Sequence, residues 1–534
     1  MRNSEALRAR VSPLKNTYKE DKLSGIKKIV DVILYVAVFF EVLFFPEIGN
    51  LIGCVMTLFC WWIFRYFFLF KKIILLHPFS FLMFLSMFMY RFVPFIATLV
   101  EGKPITYGFE NAYETFFYET LLFVVSALAF YFASVQVVKP ASNFVQEKLC
   151  KLNFYKSDIV VLWVMGFIGL IAQLYSLMIG GRSEYGDVLS KSIAGIQYMI
   201  YAPSILLFPS LTSQRYTVNR AHVLIYLGVV FTLSLATNSR QTMLMPVATL
   251  TLLFCLDILR RNLSIRQFVS PMKLAGFVVF FVFGMSLISD ISIAMLANRG
   301  IRAHVSREEL FIQTWNTLQN REQMDQLRKI SSQYEIITNE SYMINGWTET
   351  YIDNFMLNRY GNMRISDQTI YYANVVGWEN LKMRDDLITK IWAILPTPIL
   401  NNLGVKINKE DLEYSRGDYL YNLATGSGGL GGYRVTSHIG DGLATWGMWY
   451  FPIQFVIFYL VFKLLDCFVL YTKRGFIYSP YGLMSIFLFL GMFRNANGHF
   501  QDISYLMRGF WQDCFTYLVV YWLIKTLTKS LVNR

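Results

Sequence analysis

Apolar residues in this chain form long unbroken stretches separated by short polar and basic connections. A stretch of about 20 apolar residues can cross the roughly 30 Å hydrocarbon core of a bilayer, and we count about twelve of them. The stretches lack the alternation of apolar and polar positions that is typical of a transmembrane barrel. The pattern therefore predicts an all-α polytopic membrane protein with about twelve transmembrane helices.

One long polar interruption, residues 295–440, separates nine predicted spans from three. A bundle that only seals a bilayer needs no such segment, whereas an enzyme working at the membrane surface does. The predicted spans are 29–46, 51–70, 74–99, 116–137, 158–180, 196–211, 223–237, 242–259, 274–294, 448–471, 481–494 and 510–526. Inverted-repeat transporters tend to divide evenly, so the asymmetry counts against a transporter.

Composition supports a membrane protein, because 55% of the residues are hydrophobic and only 16% are charged. Soluble domains usually carry about 25% charged residues. The first 28 residues are polar and basic, and no small-residue cleavage site follows the first apolar run. We therefore expect that run to remain as a span rather than to be removed as a signal peptide.

Charge predicts the orientation, since short basic loops stay in the cytoplasm. Basic residues cluster in connections 139–151, 215–220 and 260–273 and near both ends of the sequence. The net charge is +13, but the polar interruption holds 15 Lys and Arg against 16 Asp and Glu. The basic excess thus faces anionic lipid at the inner surface, and no nucleic-acid partner is expected.

These features divide the chain into five predicted regions. The division places both termini in the cytoplasm and the polar interruption in the periplasm. The regions are a basic cytoplasmic N-terminus at 1–28, a nine-helix membrane region at 29–294, a large periplasmic loop at 295–440, a three-helix membrane region at 441–526 and a cytoplasmic tail at 527–534.

The polar interruption has its own helical signals. Ser306 and Glu309 match a capping box and predict a helix over 307–330. Further helices are predicted at about 341–360 and 381–395. Such helices could lie in the headgroup layer or pack on the bundle as a lid. The glycine-rich stretch 426–432 lacks the G-K-[ST] ending of a phosphate-binding loop, so nucleotide binding is not predicted there.

Several arginines lie at the predicted outer ends of spans, against the usual cytoplasmic bias. A planar guanidinium that stays charged is well matched to phosphate, so together they could hold a pyrophosphate. The candidates are Arg182, Arg240, Arg299, Arg302 and Arg434. Each of them alone could instead reach toward headgroups or pair with a nearby carboxylate.

His438 is the best candidate for a general base, because imidazole accepts protons near neutral pH. Asp441 could orient it, although a structural loop histidine is an equally reasonable interpretation. Glu184 is a further carboxylate candidate. Residues that could support the site without touching substrate are Arg91, Arg494 and His499.

Metal and disulfide chemistry are not predicted. The five histidines are scattered without metal-ligand spacing, and Asp385 and Asp386 are interpreted as a solvated helix face. The six cysteines lie in predicted spans or on the cytoplasmic side, where small apolar fillers are expected.

The order of these parts resembles the Wzy-type polymerases of bacterial O-antigen and capsule repeat units. The N-S-R-Q turn at 238–241 is similar to the Ser-Arg turn of that family. The polar interruption resembles its long periplasmic loop. The L-P-T-P run at 395–398, followed by glycines and by G-D-G-L-A-T-W-G at 440–447, resembles the family's approach to the next span.

This resemblance implies a GT-C-like glycosyltransferase fold in the bacterial inner membrane. It also implies a reaction in which a growing glycan moves from undecaprenyl pyrophosphate to a lipid-linked oligosaccharide repeat unit on the periplasmic face. No cofactor is implied. Implied partners are undecaprenyl-pyrophosphate-linked oligosaccharides and membrane lipid, together with a chain-length regulator and a flippase.

Two alternatives stay open. The related O-antigen ligases share the architecture and place a histidine ahead of a glycine-containing span start, as His438 and Gly447 do, although Ile439 stands where the ligase pattern is polar. A lipid-linked glycan flippase or another transporter is the alternative from a different class. Arg91, deep in a predicted span, is the residue that favours it.

Overall fold

The computed structural model shows a mostly helical protein with one two-stranded sheet. It describes residues 23–93, 95–136, 141–178, 192–212, 218–236, 240–263, 294, 297–298, 307–333, 341–348, 362–426, 429–432, 434–472, 475–492 and 498–532. Within this part of the chain, six helical segments are long and apolar enough to cross a membrane. The prediction of a helical membrane protein is confirmed at this level, and the number of twelve spans stays a prediction.

The six segments fall within the predicted membrane regions, apart from the start of the last one. They are Ile48–Phe68, Pro78–Val100, Ala112–Val135, Ile159–Leu177, Thr242–Arg261 and His438–Asp466. Two shorter apolar helices, Ser192–Leu207 and Arg220–Ser234, accompany them.

Helices α1 to α11 precede the polar interruption. They are α1 Ser24–Phe44, α2 Ile48–Ile63, α3 Lys71–Leu76, α4 Pro78–Arg91, α5 Phe95–Val100, α6 Ala112–Phe130, α7 Phe144–Lys151, α8 Ile159–Met178, α9 Pro209–Thr212, α10 Arg220–Ala236 and α11 Arg240–Arg261. Single π-helical turns, Phe64–Phe68 and Tyr131–Val135, extend α2 and α6, and a 3-10 helix spans Gln197–Leu207.

Helices α12 to α24 and the sheet follow. They are α12 Arg307–Gln319, α13 Arg321–Gln333, α14 Tyr342–Asn345, α15 Asn362–Val376, α16 Leu381–Ala393, α17 Thr397–Asn402, α18 Arg416–Thr425, α19 His438–Trp446, α20 Tyr450–Asp466, β1 Val469–Thr472, β2 Gly475–Tyr478, α21 Pro480–Met484, α22 Ile486–Gly491, α23 His499–Ser504 and α24 Phe510–Val532. Short 3-10 turns occupy Glu410–Leu412 and Gly447–Trp449, and a π turn occupies Tyr505–Gly509.

Aromatic rings form the centre of the bundle where α2, α4 and α6 meet. The Phe84 ring lies 5.4 Å from Phe123 and 5.2 Å from Phe130, and Phe64 stacks on Phe88 at 5.8 Å between centroids. Lipid tails are as apolar as these side chains, so helices in a membrane associate through close packing rather than through escape from water. Interlocking rings supply that packing.

The apolar segment His438–Asp466 folds back on itself instead of crossing as one rod. Gly447 follows α19 with φ of 53°, a left-handed conformation that favours glycine. The rings of His438 and Phe458 are only 6.2 Å apart, although an unbroken helix would separate them by about 30 Å. Helix α19 therefore lies beside the first half of α20, and the predicted span 448–471 covers only the second arm.

Helix α15 of the polar interruption is buried despite its polar sequence. The carboxylate of Asp367 accepts hydrogen bonds from the backbone N–H groups of Glu110 and Asn111 at 2.8 and 2.9 Å and from the Thr115 hydroxyl at 2.9 Å. Burial raises the pKa of Asp367 to about 6 against these hydrogen bonds. These bonds tie the polar interruption to the start of α6.

The other helix predictions for the polar interruption have mixed outcomes. The helix predicted over 381–395 is present as α16. The helix predicted over 307–330 is two helices, α12 and α13, which meet at Asn320. Within 341–360, the described residues 341–348 contain only α14. The interpretation of Asp386 as solvated is wrong, because that carboxylate is buried, whereas Asp385 is exposed.

A β-hairpin follows α20 where the sequence predicts the end of a span. Strands β1 and β2 pair antiparallel, with Val469 opposite Tyr478 and Thr472 opposite Gly475. The Tyr478 hydroxyl donates to the backbone carbonyl of Leu75 at 2.8 Å and so joins the hairpin to α3. A short run of apolar residues in the sequence does not distinguish a buried strand from the last turn of a helix.

Candidate functional site

Two copies of the same short pattern, H-x-x-D, begin two helices near one another. His438 and Asp441 lie in the first turn of α19, and His499 and Asp502 lie in the first turn of α23. Residues three apart share one face of a helix, so each copy presents its imidazole and its carboxylate together. All four side chains are buried.

The two copies pair reciprocally. His438 Nε2 lies 3.1 Å from Asp502 Oδ2, and His499 Nδ1 lies 3.4 Å from Asp441 Oδ2. Each helix thus supplies the histidine of one pair and the carboxylate of the other. We call these four residues the reciprocal His–Asp site.

Local sequence explains why the two helices approach so closely. The Ser437 hydroxyl caps α19 by accepting a hydrogen bond from the backbone N–H of Gly440 at 3.0 Å. Gly498 immediately precedes α23, and a Cβ at this position would lie 2.5 Å from Asp441 Oδ2. A side chain at 498 would therefore displace the Asp441 carboxylate.

The two carboxylates of the reciprocal His–Asp site have different surroundings. Asp441 Oδ1 accepts from Arg416, whose Nε and Nη2 lie 2.8 and 2.6 Å away. Asp502 Oδ2 accepts from the amide of Gln454 at 2.8 Å as well as contacting His438. In the described part of the chain, no Lys or Arg pairs with Asp502. The charge of Asp441 is thus already matched, whereas that of Asp502 is directed to His438.

Arg416 is the buried cation of this region. Its Nη1 also donates to Asp386 Oδ2 at 2.6 Å and to the Met383 carbonyl at 2.7 Å. Burial alone would lower the pKa of Arg416, but the carboxylates of Asp441 and Asp386 raise it, so the guanidinium stays charged. Arg416 therefore ties α18 to both α16 and α19.

The two histidines also differ in their surroundings, because His499 lies near the charge of Arg416 and His438 faces the Asp502 carboxylate. Burial lowers the pKa of His499 to about 4, and the nearby Arg416 charge acts in the same direction against the attraction of Asp441. His499 is therefore neutral near pH 7. His438 has a carboxylate directed at Nε2, and a proton held there makes Nδ1 the accepting nitrogen. This arrangement is that of an oriented general base.

Several buried polar atoms in and beside the reciprocal His–Asp site have no hydrogen-bond partner among the described residues. They include the Tyr450 hydroxyl, Gln454 Oε1, Asp441 Oδ2 and both ring nitrogens of His499. The Tyr450 and His499 rings lie 5.9 Å apart, and Gly442 lets Tyr450 pack directly over α19. A buried polar atom without a partner costs about 1–3 kcal/mol, so such groups call for a functional explanation.

The structure corrects the predicted role of Asp441. The sequence places Asp441 as the residue that orients His438, but Asp502 holds that position and Asp441 pairs with Arg416 and His499. The His438 side chain is buried beside the middle of α20.

Arg434 is the predicted pyrophosphate-binding arginine whose side chain the structure describes. Its Nη1 pairs with Asp418 Oδ1 at 2.9 Å, and its guanidinium lies 4.5 Å from the centre of the Tyr421 ring. The side chain is 23% exposed, so part of the guanidinium faces solvent. Arg434 can thus meet an anion without first breaking a fully buried ion pair.

Arg91 lies in a separate buried ion pair. Its Nη1 is 3.1 Å from Glu119 Oε1 and donates to the Ser366 hydroxyl at 3.0 Å. The side chains of Arg91 and Glu119 are each 1% exposed. Arg91 therefore joins α4 to α6 and to α15.

The remaining predicted site residues are placed only in part. Arg240 begins α11, and its side chain lies outside the described residues. The others that lie outside the described residues are Arg182, Glu184, Arg299, Arg302 and Arg494.

Sequence reasoning missed most of the partners at the site. The second H-x-x-D pattern is visible in the sequence and could have linked Asp502 to His438. Arg416, Gln454 and Tyr450 carry no comparable signal, because they reach the site only through the fold-back at Gly447 and the docking of α18.

Neither a metal centre nor a known relative explains the site. Within the described residues, no group of three or more His, Cys, Asp or Glu side chains is arranged to hold a metal ion. Comparison of the chain with protein-family models, with curated proteins and with solved structures finds no match.

Proposed function

We propose that the protein is a membrane glycosyltransferase that polymerises lipid-linked oligosaccharide repeat units. It transfers a growing glycan from undecaprenyl pyrophosphate to a new repeat unit. The observation that carries this proposal is the His438–Asp502 pair, an oriented base beside buried polar atoms of Tyr450 and Gln454 that can hydrogen-bond a sugar hydroxyl.

The proposed reaction needs one base and one leaving group. His438 takes the proton of the acceptor hydroxyl, and the hydroxyl oxygen forms a bond to the anomeric carbon of the donor glycan. The bond from that carbon to the pyrophosphate oxygen breaks, and its electron pair leaves with undecaprenyl pyrophosphate. Asp502 stabilises the imidazolium that forms, as a carboxylate does in other histidine-based sites.

Cations are needed where charge develops on the leaving pyrophosphate. Arg434 is suited to this role, because its guanidinium is partly exposed and lies four residues before His438. The arginines at 182, 240, 299 and 302 remain proposed phosphate ligands on the strength of the sequence pattern, and Glu184 remains a proposed carboxylate near them.

We also propose the number of spans, the type of bundle and the membrane in which the protein lies. We infer about twelve spans in a GT-C-like bundle with a large periplasmic loop. The protein would lie in the bacterial inner membrane with both termini in the cytoplasm and serve O-antigen, capsule or other exopolysaccharide synthesis. Its partners would be lipid-linked oligosaccharides, a chain-length regulator and a flippase, and it would act without a nucleotide or a metal ion.

A flippase or another transporter is the second candidate, because two buried charge systems lie inside the bundle. The Arg91–Glu119 pair and the reciprocal His–Asp site are both nearly inaccessible to solvent. Ionisable groups inside a membrane bundle are typical of substrate pathways and proton relays. A ligase of the same fold would use the same base and differ only in its acceptor.

One experiment separates these candidates. The gene is deleted in its host, and the surface glycan is separated by length. Loss of a polymerase leaves single repeats on the anchor, whereas loss of a ligase removes anchored repeats altogether. Loss of a flippase accumulates repeats on the cytoplasmic face. An unchanged glycan would reject all three functions.

Complementation then tests the site. The deletion strain receives wild-type protein, His438→Ala or Arg240→Ala, with protein levels matched by immunoblotting. We expect both variants to give single repeats. Normal chain lengths with both variants would show that the site is assigned wrongly even if the function is right.

A further inference from the structure

A small aromatic cluster in the polar interruption lies apart from the main core. The Trp347 and Tyr372 rings stack at 5.5 Å with an angle of 16° between their planes. Tyr421 of α18 meets both rings edge-on, at 5.7 and 5.2 Å. Tyr372 is fully buried, whereas Trp347 and Tyr421 are partly exposed. The cluster therefore holds two aromatic side chains rigidly at a surface.

Two buried donors beside this surface have no acceptor among the described residues. Trp347 Nε1 and Gln368 Nε2 make no hydrogen bond within this part of the chain, and Gln368 is 1% exposed. The amide of Gln368 is fixed from its other end, because its Oε1 accepts from the backbone N–H of Thr348 at 3.1 Å. Unsatisfied buried donors are rare in proteins and point to an acceptor supplied by a ligand.

A cation completes the same surface. Arg434 lies over the Tyr421 ring at 4.5 Å and is held there by Asp418. Gly432 allows this approach, since a Cβ at that position would lie 3.1 Å from Arg434 Nη1. We call Trp347, Gln368, Tyr421 and Arg434 the Trp347 surface.

The Trp347 surface is joined directly to the reciprocal His–Asp site. The Arg434 carbonyl accepts a hydrogen bond from the Ser415 hydroxyl at 2.7 Å. Arg416, which follows Ser415 in the chain, donates a hydrogen bond to the Asp441 carboxylate. Only Val435, Thr436 and Ser437 separate Arg434 from His438. A ligand on this surface would therefore contact the segment that positions the proposed base.

We propose that the Trp347 surface is a binding subsite for the carbohydrate part of the substrate, next to the reacting sugar. A pyranose ring has a face of C–H groups that packs on an aromatic ring, and its hydroxyls accept hydrogen bonds at the edges. Aromatic faces, two unsatisfied donors and a guanidinium match that chemistry. A phosphate alone would need the cation but not the stacked rings. The inference rests on the proposed function and names where that enzyme holds its glycan.

The test measures binding without turnover. The protein is purified in lipid nanodiscs and titrated with the host's own repeat-unit oligosaccharide, released from its lipid carrier by mild acid. We expect Trp347→Ala to weaken binding by about tenfold or more, which corresponds to about 1.4 kcal/mol. Trp392→Ala is the control, because Trp392 is a 42% exposed tryptophan of α16 outside the cluster.

A second variant, Trp347→Phe, distinguishes a loss of binding from a loss of folding. Trp347→Phe keeps a stacked ring but removes Nε1, so we expect a smaller loss of affinity and a thermal unfolding profile close to that of the wild type. Wild-type affinity in both Trp347 variants, or no binding by the wild-type protein, overturns the inference.

The proposed function and the proposed subsite are rejected by different results. A deletion strain with unchanged surface glycan rejects the enzyme, whatever the titration shows. A deletion strain that accumulates single repeats, together with Trp347 variants of normal affinity, keeps the enzyme and removes this subsite.

Discussion

Two buried histidine–aspartate clusters lie in the described part of this bundle, and they are built very differently. In the first, which we call the Asp466 cluster, the Asp466 carboxylate accepts from Ser80 at 2.6 Å and Ser134 at 2.7 Å and contacts His77 at 2.9 Å. The second is the reciprocal His–Asp site. Its carboxylates meet histidines of the opposite helix, and several polar atoms around it have no hydrogen-bond partner within the described ranges.

We interpret the difference as that between a structural cluster and a chemical one. The Asp466 cluster joins α4, the π turn after α6 and the end of α20, and both carboxylate oxygens are hydrogen-bonded. A satisfied polar network rigidifies a fold. Among the described residues, the reciprocal His–Asp site leaves Tyr450, Gln454 and His499 with polar atoms that make no hydrogen bond. We infer that the first holds helices together and that the second holds substrate.

The largest expected effect comes from Asp502→Asn. This change removes the charge that orients His438 and stabilises its protonated form, so we expect the rate of glycan transfer to fall about 100-fold or more. Transfer is measured with lipid-linked repeat units and purified protein, per folded molecule. The matched change in the other cluster, Asp466→Asn, should lower stability but leave this rate unchanged. Equal rate losses in the two variants would remove the distinction between the clusters.

Arg416→Met should give the largest loss of stability. It leaves Asp386 and Asp441 buried without their cation, and breaking a buried ion pair from one side costs about 3–5 kcal/mol. Thermal unfolding in detergent measures the effect. Arg384→Met is the control, because Arg384 is only partly buried and lies over the Trp446 ring at 5.0 Å. A small effect for Arg416 would mean that α18 is docked by other contacts.

The sequence alone predicts the helical membrane architecture because a bilayer demands long apolar segments, and these are visible without any structure. It fails at the fold-back of α19 onto α20. The run at 438–466 is apolar enough on average to be taken for a single span, and Gly447 marks the reversal. His438 reaches Asp502 only after this reversal, so the separation of the two residues along the chain does not indicate a contact, and the repeated H-x-x-D pattern is the sequence signal that could have linked them.

Helix α15 shows the opposite failure. Its polar residues suggest exposure, yet Asp367 is buried because backbone N–H groups at residues 110 and 111 pair with it. Burial of Asp367 depends on hydrogen-bond partners about 250 positions away along the chain. The local sequence pattern therefore could not predict it. The imidazole that makes His438 a candidate base is visible in the sequence, whereas the approach of Arg416, Gln454 and Tyr450 to it depends on the fold.

The free energy of unfolding should depend on pH in a way that is specific to His499. Its folded pKa, about 4, lies below the ordinary 6.5, so folding favours the neutral form. The resulting stabilisation is present above pH 6.5 and is lost as the pH falls toward 4, by an amount on the order of 3 kcal/mol. Asp367 acts in the opposite direction, since its raised pKa gives stability that is lost as the pH rises through about 6.

The two trends oppose each other between pH 4 and 6, so the difference between wild type and His499→Asn is the informative quantity. Denaturant or thermal unfolding at several pH values measures it. We expect the stability advantage of the wild type over His499→Asn to shrink as the pH falls below 6.5. A difference independent of pH would place His499 in a less buried setting.

The smallest effects concern single hydroxyl groups. Ser134→Ala removes one bond to Asp466 and should lower the free energy of unfolding by about 1 kcal/mol. Tyr450→Phe removes a hydroxyl that has no hydrogen-bond partner in the part of the chain that the structure describes, so stability should stay the same or rise while transfer slows. Unfolding and transfer assays on the same preparations test both. A clear stability loss in Tyr450→Phe would indicate that its hydroxyl is part of the scaffold.

The most direct test exchanges one histidine in each cluster for asparagine and measures glycan length. His438→Asn and His77→Asn are expressed at matched levels in the deletion strain, and the surface glycan is separated by size. We predict single repeats with His438→Asn and a normal ladder with His77→Asn. A normal ladder with His438→Asn would contradict the assignment of the reciprocal His–Asp site as the place where the glycan is transferred.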